Sequence, residues 1–320
     1  MNSNTGSEVQ GAVRKPPTIW HKMGQRWQLF LFLLIPLAHL IIFHYVPIFG
    51  IQIAFKNFTP SKGIWGSPWV GMKHFQTFFK SYQFRRVIIN TLRLSFYGLV
   101  AAFPLAILFA LQLNLVRNMK FKKFAQTLTY IPHFISTVVI VGMMFQVLGS
   151  VNGLYGNIVK LLTGSLPKDI FSVPQNFPHI YVWSGRWQGL GWSSIIYIAT
   201  LSSVDPQLHE AAEIDGANRL KRVWHIDLPV ILPTAAVLLI LDAGSIMSVG
   251  FEKAYLLQNQ MNITYSEIIS TYVYKYGLNS ASNFSYGTAI GLFNSIVNMI
   301  MLVVVNTLSK KLSDNETSLW

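Results

Sequence analysis

The chain has 320 residues, of which 52% are hydrophobic and 12% are charged, and it contains no cysteine. This charged fraction is about half that of typical soluble domains, which excludes an ordinary soluble globular protein. The absence of cysteine excludes a disulfide framework and any thiolate metal site. Lysine and arginine outnumber the acidic residues by 25 to 12, so the formal net charge is +13.

Six stretches approach the roughly 20 apolar residues that a helix needs to cross a bilayer. They cover residues 29–49, 88–113, 127–149, 187–204, 230–250 and 287–308. The fourth is the weakest, because Gly189, Gly191 and several serines dilute it. The first is not expected to be a signal peptide, because it is long, follows polar residues and lacks a small-residue cleavage site. The sequence therefore predicts an all-α membrane protein with six transmembrane helices.

Residues 205–229 form a polar segment between the fourth and fifth predicted spans. Asp205 suits a helix N-cap, Pro206 the first helical position, and Gly216 the left-handed residue just past a helix end. These signals predict a short helix from about Pro206 to Asp215. A second helical piece is predicted to follow, with Leu220, Val223 and Trp224 on one side. We interpret this polar segment as a docking surface for another protein. The alternative is an amphipathic helix that rests on the membrane surface.

The same segment resembles the EAA signature of ABC importer permeases. Glu210-Ala211-Ala212 is followed after three residues by Gly216, and after nine more by Ile226-x-Leu228-Pro229. The resemblance implies the type I permease fold, in which this cytoplasmic coupling helix inserts into a cleft of the ATPase subunit. The residues that it implies for coupling are Glu210, Ala211, Ala212, Glu213, Asp215, Gly216, Ile226, Leu228 and Pro229.

Other segments extend the resemblance over nearly the whole chain. They are similar to permeases of the carbohydrate-uptake family, in its polysaccharide and oligosaccharide subgroup. The matching segments are Tyr45-Val46-Pro47, Ala54-Phe55-Lys56, Gly66-Ser67-Pro68-Trp69-Val70-Gly71, Asn90-Thr91, Phe251-Glu252-Lys253-Ala254-Tyr255-Leu256-Leu257 and Asn306-x-x-Ser309. The coupling segment departs from the family pattern at one position, where relatives often carry phenylalanine and this chain has Val223-Trp224. The departure is mild, because these side chains are also apolar.

This resemblance implies four regions. They are a cytoplasmic N-terminal tail (1–28), the first transmembrane helix with an external loop (29–85), the permease domain (86–308, with the coupling segment 205–229) and a cytoplasmic C-terminal tail (309–320). The protein is expected to lie in the bacterial plasma (inner) membrane and to cross it several times. Both termini are expected in the cytoplasm. The segments predicted to lie outside are nearly as basic as those inside, so the positive-inside rule supports this topology only mildly.

The implied function is that of a permease subunit in an ATP-driven importer, which translocates an oligosaccharide delivered by a solute-binding protein. The implied partners are a second permease subunit in a heterodimer, two copies of an ABC ATPase and an extracellular or periplasmic solute-binding protein. ATP and Mg would be used by the ATPase. The chain itself is expected to bind no cofactor and no nucleic acid.

Motifs for chemistry are missing from the sequence. It contains no GxxxxGK[ST] phosphate loop, so we do not expect this chain to hydrolyse ATP. His209-Glu210-Ala211-Ala212-Glu213 approaches the zinc-protease pattern HExxH, but the second histidine is replaced by glutamate. The sequence therefore predicts no catalytic residue and no metal site.

Four polar residues in the predicted spans are candidates for the substrate path. Asp242 lies deep in the fifth span, where a charge costs about 2.5–3.5 kcal/mol, so it should face the helix bundle or a wet cavity. Ser245 is one turn away on the same side. Asn294 and Asn298 lie one turn apart on the sixth span. Interhelical hydrogen bonding is the alternative for Asp242 and the commoner explanation for the asparagines.

The nature of the cargo stays open. The basic external surface would attract an acidic binding protein or an acidic oligosaccharide, but contact with anionic lipid headgroups is the commoner explanation. Three other functions compete with sugar import by an ABC permease. They are an ABC permease for a non-sugar solute, an ion-coupled secondary transporter that works alone, and a membrane enzyme. The enzyme would need a convergent set of acids, bases or metal ligands, and the sequence offers only Asp242.

Overall fold

The computed structural model describes residues 27–279 and 283–312, and its regular structure there is helical apart from one isolated bridge between Lys56 and Trp69. The α-helices are α1 (Trp27–Leu40), α2 (Gly63–Gly66), α3 (Lys73–Lys80), α4 (Phe84–Leu115), α5 (Met119–Tyr130), α6 (Thr137–Leu148), α7 (Leu154–Thr163), α8 (Phe177–Ser202), α9 (Pro206–Ile214), α10 (Arg219–Arg222), α11 (Leu228–Gly244), α12 (Phe251–Leu257), α13 (Ile263–Ser266), α14 (Ile269–Val273) and α15 (Phe284–Leu312). Turns of 3-10 helix cover Val46–Phe55, Ile131–Phe134 and Pro174–Asn176, and π-helical turns cover Ile41–Tyr45, Val223–Asp227 and Tyr274–Asn279. The predicted tails fall mostly outside the described residues.

Helices occupy all six positions that the sequence predicts for membrane spans. Among the described residues, four stretches are long and apolar enough to cross a bilayer: Leu31–Phe55, Phe84–Leu115, Arg219–Gly244 and Phe284–Lys311. The bent helix pair Met119–Phe134 and Thr137–Leu148 makes a fifth if the pair counts as one span. The remaining position is filled by α8, whose 26 residues are long enough but include many polar side chains. The prediction of an all-α membrane fold is confirmed.

The chain divides after Gln52 into two compact units. The described part of the first unit is α1 with the turns that follow it. Its large apolar side chains, such as Phe32 and Phe43, are exposed. Such a surface is suited to the hydrocarbon of a bilayer.

The third predicted span, residues 127–149, is bent instead of straight. The stretch from α5 to Phe134 meets α6 at 102°. Pro132 lies in the 3-10 turn at the bend, and Ser136 caps α6 by accepting the N–H of Val139 at 3.4 Å. Proline cannot continue a helix and serine favours a new N-terminus, so the sequence itself encodes this bend.

One buried cluster of the second unit lies where α4, α8 and α11 pack together. Its buried side chains are Ala106, Ile107, Ala110, Leu111, Tyr197, Leu201, Ile231 and Ala235. Gly191 permits α8 to approach α5 closely, because a Cβ added there would lie 2.4 Å from the carbonyl oxygen of Thr129. The glycine that weakens the fourth predicted span therefore serves close helix packing.

The Asn90-Thr91 pair fastens the segment around α13 and α14 to α4. The Asn90 amide donates to the carbonyl oxygens of Thr264 at 2.9 Å and Glu267 at 3.1 Å. The Thr91 hydroxyl accepts the N–H of Ile269 at 3.0 Å. Asn90, Thr91, Glu267 and Ile269 are all buried, so these bonds fix the position of α14 against α4.

An ion pair between Arg86 and Glu267 reinforces this attachment, and Glu267 is only 1% exposed. Replacing Arg86 by alanine is expected to destabilise the fold by about 3–5 kcal/mol, because the buried carboxylate loses its cationic partner. Thermal unfolding in detergent would show a clear fall in midpoint. The neighbouring exposed Arg85 provides the control, because Arg85→Ala should leave the midpoint nearly unchanged. Equal midpoints for the two variants would contradict this account.

Candidate functional site

The polar segment begins with a helix whose two ends are closed by the predicted residues. The Asp205 carboxylate accepts the N–H of Gln207 at 2.9 Å, and α9 starts at Pro206. At the other end Gly216 has φ of +75°. Its N–H donates to Glu213 at 3.1 Å, while the N–H of Ala217 donates to Ala212 at 2.8 Å. This pair of bonds is the Schellman arrangement, which needs a left-handed residue and therefore favours glycine.

The second helical piece starts at Asn218 and runs into the membrane helix. The Asn218 side chain caps α10 by accepting the N–H of Lys221 at 2.9 Å. A π-helical turn, Val223–Asp227, then leads directly into α11. Arg222 closes the hairpin between the two pieces, since its guanidinium donates to Glu213 at 2.8 Å.

A buried carboxylate ties this hairpin to two membrane helices. Asp227 is 1% exposed. Its Oδ1 lies 3.3 Å from Nε2 of His209 on α9 and accepts a hydrogen bond of 3.3 Å from the amide of Asn114 on α4. Asp227 itself immediately precedes α11. The network therefore connects α9 with the C-terminal end of α4 and the N-terminal end of α11.

The candidate coupling residues fall into two groups. Six lie together on α9 and its C-terminal turn, and all six except Ala212 are exposed: Glu210, Ala211, Ala212, Glu213, Asp215 and Gly216. The other three lie in the helix that enters the membrane. There Leu228 packs on the core of α4, α8 and α11, Ile226 is half-buried and Pro229 is exposed.

Apolar side chains project from this otherwise polar segment. Ile214 is 87% exposed, Leu220 67% and Trp224 64%. Three large apolar side chains exposed on one short segment indicate a protein-interaction or membrane-interaction site.

The network around Asp227 was missed by the sequence reasoning, which considered His209 only as a metal ligand. A signal was present, because an acid between Ile226 and Leu228 at the start of a span must be buried and needs a polar partner. The identity of that partner depends on tertiary structure. Asn114 is 113 residues away along the chain.

A cavity of about 460 Å³ opens between α4, α8 and the end of α11. Its polar lining includes Arg186, Tyr181, Ser193, Asp242, Ser245 and Ser248. Asp242 and Ser245 therefore share one wall, and Arg186 is close enough to Asp242 for an electrostatic interaction. A charge in the fifth span is accommodated here because it faces a polar cavity.

The two asparagines of the candidate substrate path lie elsewhere. Asn298 accepts the N–H of Met247 at 2.8 Å and donates to the Ser248 hydroxyl at 2.8 Å, which anchors the chain after α11. Asn294 lines a second cavity of about 420 Å³, which shares Ser248 with the first. Among residues 27–279 and 283–312, no group of three or more His, Cys, Asp or Glu side chains is placed to hold a metal ion.

A helical membrane protein with a capped polar helix between two spans and a polar cavity between its helices has the features expected of a membrane transport subunit. Residues 102–314 match the family described as the binding-protein-dependent transport system inner membrane component. The chain belongs to this family.

Relatives with known names cover nearly all of the chain. It is 43% identical to the polygalacturonan/rhamnogalacturonan transport system permease protein YteP of Bacillus subtilis (strain 168), over 92% of this chain and 91% of that protein. It is 40% identical to the protein LplB of the same strain, over 89% of each chain. The arabinooligosaccharides transport system permease protein AraP, also from that strain, is 30% identical over 87% of this chain and 85% of AraP.

Two solved structures share the fold. A chain of a bacterial ABC transporter involved in the import of the acidic polysaccharide alginate matches with a TM-score of 0.84 and 36% identity, over 92% of this chain and 99% of that one. A chain of the alginate transporter in complex with an alginate pentasaccharide-bound periplasmic protein matches with a TM-score of 0.84 and 35% identity, over 94% and 99%. The resemblance to ABC importer permeases and the permease fold that it implies are confirmed.

Proposed function

We propose that this chain is the permease subunit of an ATP-driven ABC importer that moves an oligosaccharide into the cell. A second permease subunit completes the pathway as a heterodimer. Two copies of an ABC ATPase, which use ATP and Mg, bind the cytoplasmic face, and a solute-binding protein delivers the sugar from outside. Both termini of the chain lie in the cytoplasm. The similarity to the permeases YteP and AraP, whose names give polygalacturonan/rhamnogalacturonan and arabinooligosaccharides as cargo, over at least 85% of each chain, is the observation that carries this proposal.

The segment 205–229 supports ATP-driven coupling. It presents the exposed acidic and apolar side chains of α9 and α10 on one short hairpin, and both helix ends are fixed by side-chain or backbone caps. A surface that must transmit force benefits from such a fixed geometry, because a frayed helix would absorb the motion.

The Asp227 network supports a route from this hairpin to the cavity. Asn114 lies at the end of α4, and Asp227 precedes α11. Both helices line the cavity, through residues such as Ala102 and Leu238. Movement of α9 with the ATPase would therefore displace two cavity walls together, as rigid-body rocking requires.

The cavity lining supports a sugar as cargo. Serine and tyrosine hydroxyls alternate there with apolar side chains, among them Ser95, Ser193, Tyr181 and Tyr197. Hydroxyl groups both donate and accept hydrogen bonds, which suits the many hydroxyls of an oligosaccharide.

Gentle affinity purification from native membranes, followed by mass spectrometry, tests the proposed assembly. We expect recovery of an ABC ATPase and a second permease that carries its own EAA segment. Recovery of the chain alone, as a stable monomer or homodimer, would contradict the proposal and favour an ion-coupled transporter.

Reversing the charge of Glu210 tests the docking role of α9. Glu210 is exposed and lies on the helix that we propose to dock into the ATPase. Glu210→Lys is expected to lower oligosaccharide uptake at least about tenfold, because like-charge contacts at an interface cost several kcal/mol. Glu210→Gln, which only removes the charge, should reduce uptake less. Immunoblots should show normal amounts of both variants in the membrane, and unchanged uptake by Glu210→Lys would refute docking through this residue.

A further inference from the structure

Two cationic side chains beside the cavity have buried nitrogen atoms that lack a hydrogen-bond partner. Lys253 on α12 is 8% exposed, and its Nζ has no hydrogen-bond partner. Arg186 on α8 is half-buried, and its Nε is buried without a partner. Burying an ammonium group without a hydrogen-bonded counterion is costly, so such groups are normally paired or serve a function.

The two cations face the same space. Both line a cavity of about 380 Å³, which shares Gly98, Tyr181 and Arg186 with the main cavity. The Lys253 ammonium lies 5.4 Å from the ring centre of Tyr181. Gly185 leaves room for it, because a Cβ added at Gly185 would come within 3.2 Å of Nζ. The fold thus places Lys253 and Arg186 on one cavity at the edge of the proposed transport path.

Nearby carboxylates do not neutralise this pair. Asp242 interacts electrostatically with Arg186 across the main cavity, and the exposed Glu252 lines the smaller one. Within the described part of the chain, neither acid forms a salt bridge to Arg186 or Lys253. Burial, together with the charge of Arg186, lowers the pKa of Lys253 to about 8. Most of the Lys253 population therefore stays protonated at neutral pH, and the smaller cavity has a surplus of positive charge.

We propose that Arg186 and Lys253 bind the carboxylate of an acidic sugar unit as it passes, so that the cargo is an oligosaccharide containing uronic acid. This inference rests on the proposed function. The planar guanidinium can hold a carboxylate through two parallel hydrogen bonds, and the ammonium adds a point charge. A neutral sugar would leave the buried ammonium without a counterion, so the site discriminates against it.

The test uses the complete transporter, with its ATPase and binding protein, in proteoliposomes. Uptake is measured for a hexuronate oligosaccharide and for its carboxyl-reduced neutral counterpart of equal length. We expect the unmodified transporter to prefer the acidic sugar. Lys253→Met should lower uptake of the acidic sugar about tenfold or more, since a hydrogen bond between charged groups is lost, and should raise KM. Uptake of the neutral sugar should not fall.

Lys275 provides a matched control, because its ammonium also lies 5.4 Å from a tyrosine ring centre, that of Tyr276, but it lines none of the three cavities. Lys275→Met should transport the acidic sugar normally. Equal uptake of both sugars by the unmodified transporter, or normal uptake of the acidic sugar by Lys253→Met, would overturn the inference while leaving oligosaccharide import intact. Uptake of neither sugar by the unmodified transporter would overturn the proposed function as well.

The pH profile keeps the inference testable if Lys253→Met fails to assemble. Above pH about 8 the Lys253 ammonium loses its proton, so uptake of the acidic sugar by the unmodified transporter should fall. The other charged or titratable groups that face this site are Arg186, Tyr181, Tyr197, Asp242 and Glu252. Lys253→Arg carries a permanent charge and should retain uptake to higher pH. Identical profiles for the two proteins would contradict a role of Lys253 in binding the carboxylate.

Discussion

Replacement of Gly216 by valine is expected to abolish oligosaccharide uptake while the protein remains in the membrane. Gly216 has φ of +75°, and a β-branched residue in this left-handed region costs about 1–2 kcal/mol or more. A Cβ added there would meet nothing within 4 Å, so the whole effect comes from backbone strain. The strain would break the bonds that close α9 and turn the exposed helix away from the orientation that the ATPase requires.

Gly164 offers a closely matched control. It also follows a helix, has φ of +75° and would meet nothing within 4 Å after addition of a Cβ. It lies at the end of α7, in a loop predicted to be external and far in sequence from the coupling segment. Gly164→Val should carry a similar local strain but retain uptake. Normal uptake by Gly216→Val, or equal loss in both variants at normal membrane levels, would refute the coupling role of this turn.

Removal of the Asp227 carboxylate should uncouple ATP hydrolysis from transport. Asp227→Ala loses the contacts to His209 and Asn114, each at 3.3 Å, that connect α9 with two cavity walls. Hydrogen bonds to a charged group contribute about 1.5–3 kcal/mol each, so uptake should fall about tenfold to a hundredfold. ATP hydrolysis by the purified complex should fall much less, because the exposed docking residues are unchanged.

Asp227→Asn separates the loss of the connection from the loss of charge. The asparagine keeps the shape of the side chain and an oxygen that can accept from Asn114. We expect it to retain more uptake than Asp227→Ala. A parallel loss of uptake and ATP hydrolysis in Asp227→Ala would mean that this residue only maintains assembly. It would contradict the proposal that Asp227 transmits the movement of α9 to α4 and α11.

Local features of the fold were predictable from the sequence. The ends of α9 depend on Asp205, Pro206 and Gly216, each of which acts on backbone groups only a few residues away. The bend within the third span depends in the same way on Pro132 and Ser136. Its angle of 102° was not predictable, because helix packing sets the direction of a new helix after a break.

Partnerships between distant residues could not be predicted. Asp242 and Ser245 share a cavity wall, but Asn298, one turn from Asn294 in sequence, is engaged by the chain after α11. A polar stripe on one helix therefore divides between a cavity and a structural contact, and only the neighbouring helix decides which. The same holds for Lys253, which gains its position beside Arg186 from the packing of α12 against α8.

Uptake of a labelled oligosaccharide by proteoliposomes that contain the purified transporter tests the central claim most directly. The liposomes would be loaded with or without ATP and Mg, and the binding protein would be added outside. We predict accumulation of the sugar only when ATP and the binding protein are both present, with no effect of uncouplers. Accumulation without ATP, driven instead by an ion gradient, would contradict the assignment as an ABC importer subunit.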